Sequence, residues 1–309
     1  MKKKCLILNN REPLPEDTLT SFSDRLDVVW YQNAHPFNLA DVLATYRDTQ
    51  IIITTYMDFT EDNLKILPFL EAILTTTTAV EYIDLNYCRS HNIRVMNTAN
   101  YTGASVAEYL ITTSLCIAKK IIPINQKVHQ KDFHCFDEIG IEIVGKRAGV
   151  IGLGNIGTRV AKLAKGLGLE VIYYNRSAKE FDGGQQVDLD TLLSTADLIF
   201  VTSPLNKDSH GMIGKSEFAK MKPSCILVSS SPDQIIDFDA LADALRNNKI
   251  FGAGLDLLGT DERYLELPNL ILTPRHANAT KECLLERRVA TWKDTLAAYL
   301  DNQPRNIIV

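Results

Sequence analysis

The stretch 145–157, reading G-K-R-A-G-V-I-G-L-G-N-I-G, limits what this chain can fold into more than any other. Val150 and Ile151 close a short apolar run that reads as a buried strand. Gly152, Gly154 and Gly157 then form G-x-G-x-x-G, and residues 158–167 continue with helical spacing. Strand, glycine turn and helix in this register have a physical purpose. The first glycine permits a tight turn, the second lets the backbone approach a pyrophosphate, and the third lets helix and strand pack closely. The free N–H groups and the positive dipole end of the helix face the same place. The stretch predicts a dinucleotide site built on Gly152, Gly154, Asn155, Ile156 and Gly157.

On both sides of this motif, short apolar runs alternate with amphipathic stretches. In the first part, 5–9, 26–31, 51–55, 73–76 and 94–97 read as strands, with helices at 16–24, 39–46, 61–69 and 83–91. After a long apolar helix at 104–119, expected to link two domains, 128–142 reads as an irregular surface loop. The second block has strands at 148–152, 170–174, 198–202, 225–229, 252–257 and 270–273, with helices at 155–167, 190–194, 215–221 and 238–247. Such alternation predicts open parallel sheets covered by helices on both faces. A last helix, 281–300, is expected to return to the first domain.

Composition narrows the function classes. At 309 residues the chain is long enough for two domains. A net charge of −5 argues against nucleic acid or an anionic membrane as partner. Lys2, Lys3 and Lys4 precede an apolar run that ends at Leu8, too short for a secretory core, and no later run is long enough to span a bilayer. The six cysteines lack C-x-x-C spacing and read as free thiols of a reducing compartment, so a cytoplasmic location is expected. His129, His134 and Cys135 lie close together, but their spacing matches no metal site. No metal is expected.

A series of landmarks in order carries a family resemblance: Asn97-Thr98, Ser105-Val106-Ala107-Glu108, the glycine motif, Ser203-Pro204-Leu205, Met221-Lys222-Pro223, Gly254-Leu255-Asp256 and Leu272-Thr273-Pro274. Over essentially its full length the chain resembles the D-isomer-specific 2-hydroxyacid dehydrogenases, as an atypical member. The resemblance implies an α/β protein of two doubly wound parallel-sheet domains. One is a flavodoxin-like substrate domain (1–98 and 282–309), the other a Rossmann dinucleotide-binding domain (99–281). It further implies an NAD(P) oxidoreductase acting on a small molecule in an interdomain cleft, and a homodimer. Ser203, Pro204, Ser230 and Asp256 fall where the family contacts cofactor. Asp256 equally suits capping of the turn that follows.

Cofactor choice can be argued from residues. NAD-specific domains place an acid at the end of the second strand, about twenty positions past the glycines. Here that place reads Asn175-Arg176-Ser177, a cofactor loop similar to that of glyoxylate/hydroxypyruvate reductases. No carboxylate repels a 2′-phosphate and a guanidinium is at hand. NADP(H) is expected ahead of NAD(H).

The family's chemistry rests on an arginine, a histidine and a glutamate, and the chain departs at each. Pro232, followed by Asp233, stands in the arginine slot. Arg275 stands in the histidine slot, with His276 one residue later. Asp261, with Glu262 next, replaces the glutamate. In the first domain Thr76, Thr77 and Thr78 occupy the loop whose backbone N–H groups hold substrate in the family, with Glu81 nearby. Two readings follow: an oxidoreductase with altered chemistry, using Arg275 as the cation and His276 or Asp261 for protons, or a dinucleotide-binding protein without catalysis that acts as a regulator or scaffold.

Overall fold

The computed structural model describes residues 2–8, 16–31, 37–257 and 262–309. They form two compact units: residues up to Tyr101 together with Thr280–Val309, and Thr102–Ala279. The first unit begins with β1 (Lys3–Leu8), β2 (Leu26–Trp30), α1 (Leu39–Thr45), β3 (Ile51–Thr54), α2 (Glu61–Leu64), β4 (Ala72–Thr75), α3 (Leu85–Ser90) and β5 (Arg94–Met96). Its parallel sheet has the order β2-β1-β3-β4-β5, the flavodoxin-like arrangement. Ile51, Ile52 and Ile53 are all fully buried, as a strand covered on both faces requires. Asn38, Thr60 and Asp84 cap the helices through side-chain oxygens that accept backbone N–H groups.

Two expectations here need correction. The stretch 16–24 forms a 3₁₀ helix, Glu16–Phe22. The helix expected over 61–69 stops at Leu64, and the chain leaves through turns in which Ile66 N–H donates to Asn63 O. Pro68 offers no N–H and disfavours helical geometry in the residue before it, so local propensity loses.

The second unit contains α4 (Gly103–Ala118), α5 (Ile121–His129), β6 (Arg147–Ile151), α6 (Asn155–Gly166), β7 (Glu170–Tyr174), β8 (Gly184–Gln186), α7 (Leu189–Thr195), β9 (Leu198–Val201), α8 (Lys215–Lys220), β10 (Ile226–Ser229), α9 (Phe238–Arg246), β11 (Gly252–Asp256) and β12 (Leu270–Thr273). Its order, β12-β11-β10-β9-β6-β7-β8, reverses direction between β6 and β9. Ligands of such sheets bind beyond the carboxyl ends of the strands at that reversal. Rather than linking domains, α4 buries Val106, Leu110, Ile111 and Ile117 with Val150, Val160 and Phe200 inside this unit.

Two elements escaped the sequence reading. Helix α5 begins directly after Lys120, whose left-handed backbone (φ 51°) breaks it from α4. Pro123 sits in its first turn, where the missing N–H costs nothing. The strand β8 is short, and its Gly184, Gln185 and Gln186 show no apolar alternation. Pairing with β7 alone holds it.

The chain then returns to the first unit. A π-helical turn, Glu282–Arg287, leads into α10 (Arg288–Leu300). Val289, Trp292 and Leu296 of α10 pack with Cys5, Ile7 and Met96 on one face of the first sheet. Among the described residues no helix is long and apolar enough to cross a membrane. All six cysteines are free, and Cys5, Cys88, Cys225 and Cys283 are buried.

One carboxylate ties the second sheet together at its amino edge. Asp197 accepts the Arg147 N–H at 2.9 Å and the Lys222 ammonium at 3.0 Å. Burial works to raise its pKa, but these bonds prevail and hold it below the ordinary carboxylate range. Because the folded state lowers this pKa, the stability it gives is present above the unfolded value near 4 and vanishes as pH falls through the folded one. Asp197→Asn is expected to lose about 1–3 kcal/mol at neutral pH, read by urea unfolding. Its loss of stability on acidification below about pH 4 should also be shallower than the parent's.

Candidate cofactor and active site

At the end of β6 the chain turns at Gly152, whose φ of 95° suits only glycine, and its N–H donates to Tyr174 O at 2.9 Å. A Cβ on Gly157 would lie 2.1 Å from Gly152 O and 2.7 Å from Thr202 Oγ1, so helix and strand touch there. A Cβ on Gly154 would meet nothing within 4 Å. That open approach is the cradle a pyrophosphate requires. Thr158 is the first residue of α6 whose N–H finds an acceptor inside the helix, Gly154 O. Among the described residues the N–H groups of Ile156 and Gly157 have no backbone acceptor, which leaves them for an anion. Asn155 is exposed and accepts from Arg159 Nε, while Ile156 packs half-buried against the core. These residues fit a dinucleotide.

The neighbouring loops complete the rim. Asn175 Oδ1 accepts the Leu153 N–H at 3.2 Å, and its amide donates to Ser177. Arg176 is exposed, yet it is more than a solvated charge, since it pairs with Asp208 at 2.9 Å. Lys179, which the sequence reading passed over, donates from its ammonium to Leu153 O within the glycine turn. Its signal was a second cation shortly after Arg176 with no acid between them. Ser203 Oγ donates to Ile151 O at 3.1 Å and Pro204 is exposed, its carbonyl accepting from Ser209. Ser230 is half-buried at the end of β10.

Asp256, at the end of β11, is buried, and both its oxygens are engaged. It accepts Thr273 Oγ1 at 2.5 Å and the backbone N–H groups of His276 and Ala277 at 2.6 and 2.9 Å. The capping role is the one the geometry displays. Tyr109 OH meets Thr273 Oγ1 at 2.6 Å and extends this network. Burial raises the Tyr109 pKa, partly offset by its Thr273 bond, so the phenol stays protonated as a donor.

The turn held by Asp256 decides which side chain faces inward. An extended backbone at 275 would send Arg275 and His276 to opposite sides. Instead Arg275 adopts a left-handed conformation (φ 53°), strained for a residue with a Cβ. Its Nη2 lies 3.2 Å from Asp233 Oδ1, with each side chain about one-third exposed. The buried Nε of Arg275 has no partner among the described residues. Arg275 therefore stands beside Asp233, the residue that follows Pro232. His276 is exposed, and its ring has no hydrogen-bond partner among the described residues. Asp261 lies outside the described residues, and Glu262 is exposed. Among the described residues no cluster of histidine, cysteine or carboxylate could hold a metal ion.

In the first unit the threonine loop differs from expectation. Thr76 Oγ1 is bonded to Thr55 Oγ1, Thr77 Oγ1 donates to Ala79 O, and Thr78 Oγ1 donates to Thr98 O. The hydroxyls are thus spent inside the first unit, on Thr55, Ala79 and Thr98. The backbone N–H groups of Thr77, Thr78 and Ala79 have no acceptor among the described residues, whereas Val80 N–H donates to the Glu81 carboxylate. Any ligand oxygen here meets amides rather than hydroxyls.

Comparison with known proteins agrees with this geometry. Residues 111–277 match the family model described as D-isomer specific 2-hydroxyacid dehydrogenase, NAD binding domain. A glycerate dehydrogenase from Methylorubrum extorquens is 29% identical over 321 residues, covering 100% of this chain and 99% of its own. A glyoxylate reductase from Thermococcus litoralis is 28% identical, covering 100% and 97%. Among solved structures, an acyclic imino acid reductase in complex with NADPH and D-Arg superposes with a TM-score of 0.88 at 27% identity, covering 99% of this chain and all of that one. The chain belongs to the D-isomer specific 2-hydroxyacid dehydrogenases, oxidoreductases that use a nicotinamide cofactor and act on CH–OH or C=O groups.

Proposed function

We propose that this protein carries out NADPH-linked reduction of a small carbonyl compound other than a simple 2-keto acid, with Arg275 in place of the arginine absent at position 232. The observation that carries the reading is Arg275, strained at its backbone and, among the described residues, bonded through its side chain to Asp233 by one nitrogen. A bound nicotinamide supplies the hydride. Arg275 directs its open donors at the carbonyl or acidic oxygens of the substrate and stabilises the developing negative charge. His276, exposed and unbonded at its ring, gives the proton to that oxygen. Asp256 acts as a positioning residue that fixes the turn carrying both.

NADPH is favoured by Arg176 and Lys179 near Asn175 and Ser177, with no acid at that strand end. The imino acid reductase neighbour, solved with NADPH, supports this choice. The test is consumption of NADPH by purified protein with a panel of 2-keto acids, aldehydes and imines. Turnover that falls at least tenfold in His276→Ala and in Arg275→Ala supports the reading. Thermal stabilisation by NADPH without turnover on any of the panel contradicts it. Arg176→Ala should raise the KM for NADPH about tenfold while leaving that for NADH near its starting value.

The protein is further proposed to work as a homodimer in the cytoplasm. Phe133, Phe136, Ile139 and Val144 are 69%, 89%, 75% and 76% exposed within a short stretch, an apolar surface that a second copy would cover. Phe136→Asp combined with Ile139→Asp is expected to halve the mass measured by light scattering. A parent protein that runs as a monomer would count against the dimer.

A further inference from the structure

We infer that the substrate carries a positive charge of its own, and that Asp233 is the residue that receives it. This rests on the proposed role of Arg275. At the carboxyl edge of the second sheet Pro232 offers no charge, and Asp233 directly after it supplies a carboxylate. Asp233 Oδ1 accepts from Arg275 Nη2, and among the described residues that is the only side-chain bond its carboxylate makes. Its Oδ2 is left to solvent or ligand. Asp233 also begins a short 3₁₀ turn, but there its backbone carbonyl alone accepts, from the Ile236 N–H. The turn needs no carboxylate.

The pair presents both signs side by side. A guanidinium has five donors in a fixed plane, and one bond from Nη2 to Asp233 leaves other terminal N–H groups of Arg275 for an anionic oxygen. A ligand bearing only a carboxylate would gain Arg275 and be repelled by Asp233. A ligand bearing a carboxylate or polarised carbonyl together with an ammonium or guanidinium satisfies both residues. Asp256, a second carboxylate at this edge, has both oxygens bonded within the protein and is buried, so it does not compete for the cation. Asp233 is one-third exposed, within reach of a ligand from solvent. The chemical class that fits is a 2-keto or 2-imino acid with a basic side chain.

The experiment compares two 2-keto acids of matched length, one ending in a guanidinium and one in a neutral amide, each with NADPH. The parent enzyme should prefer the guanidinium compound by tenfold or more in kcat/KM. Asp233→Asn, which keeps an oxygen for Arg275, should bring that ratio close to one, with the change mainly in KM for the charged compound. Equal ratios in parent and variant overturn the inference. If the neutral compound is turned over and Arg275→Ala abolishes that turnover, the proposed function survives that failure. If neither compound is turned over and no member of the wider panel is either, the proposed function fails instead. The inference is then read by thermal shift with NADPH present: stabilisation by the guanidinium compound that disappears in Asp233→Asn upholds it, and no Asp233-dependent stabilisation overturns it.

Discussion

Gly154→Ala is expected to fold like the parent and to bind NADPH at least a hundredfold more weakly, whereas Gly157→Ala damages folding itself. The distinction comes from what a methyl group would meet. At position 154 the backbone is extended (φ −82°, ψ −159°), which alanine adopts freely, and its Cβ would touch no protein atom within 4 Å. Unfolding stability should change by no more than about 0.5 kcal/mol, as for a surface substitution. The same methyl would stand where the pyrophosphate must approach the backbone, and a hundredfold loss corresponds to about 2.7 kcal/mol. At position 157 the Cβ would be driven to 2.1 Å from Gly152 O, a backbone atom that cannot turn aside. Forced overpacking of that kind costs about 1–3 kcal/mol and sometimes more. If Gly154→Ala bound NADPH normally, the glycine turn would be a structural feature only.

Arg275→Gly is expected to cost catalysis heavily while sparing the fold. Loss of a charge-assisted contact to substrate is worth on the order of 2–5 kcal/mol, a thirtyfold to several-thousandfold fall in kcat/KM. Stability should hold or rise, because the left-handed backbone at 275 (φ 53°) is strained for arginine and relaxed for glycine. The ion pair with Asp233, one-third exposed, returns little when broken. Urea unfolding of Arg275→Gly against the parent, set beside steady-state kinetics, separates these terms. A variant with full activity would remove Arg275 from the chemistry. A large loss of stability would show that the arginine holds the turn, which the geometry assigns to Asp256.

How much of this was legible in the sequence varies by residue. The cofactor turn was legible because each glycine answers a local demand that no other residue meets. The parallel sheets were legible too, since strands such as 226–229 and 51–54 are buried on both faces and read as unbroken apolar runs. What escaped depended on partners distant in the chain. The strand β8 is defined only by its neighbour β7, and 61–69 obeyed Pro68 rather than its own periodicity. At the site, the sequence shows that proline stands at 232 and arginine at 275. Only the fold brings Arg275 to Asp233, because Asp256 reaches across from another strand to bend the intervening turn. The threonine loop misled for a related reason. Hydroxyl groups advertise hydrogen bonding, but theirs are used internally, and the open donors are the backbone amides beneath them.

On the proposed reading, an intact phosphate cradle serves a reaction whose cation is Arg275. A crystal structure of the protein with NADPH and a non-reacting 2-keto acid analogue tests it most directly. The account predicts the pyrophosphate against the N–H groups of 154–157 and an analogue oxygen about 3 Å from an Arg275 nitrogen. A nucleotide bound elsewhere, or an analogue held without Arg275, would contradict it.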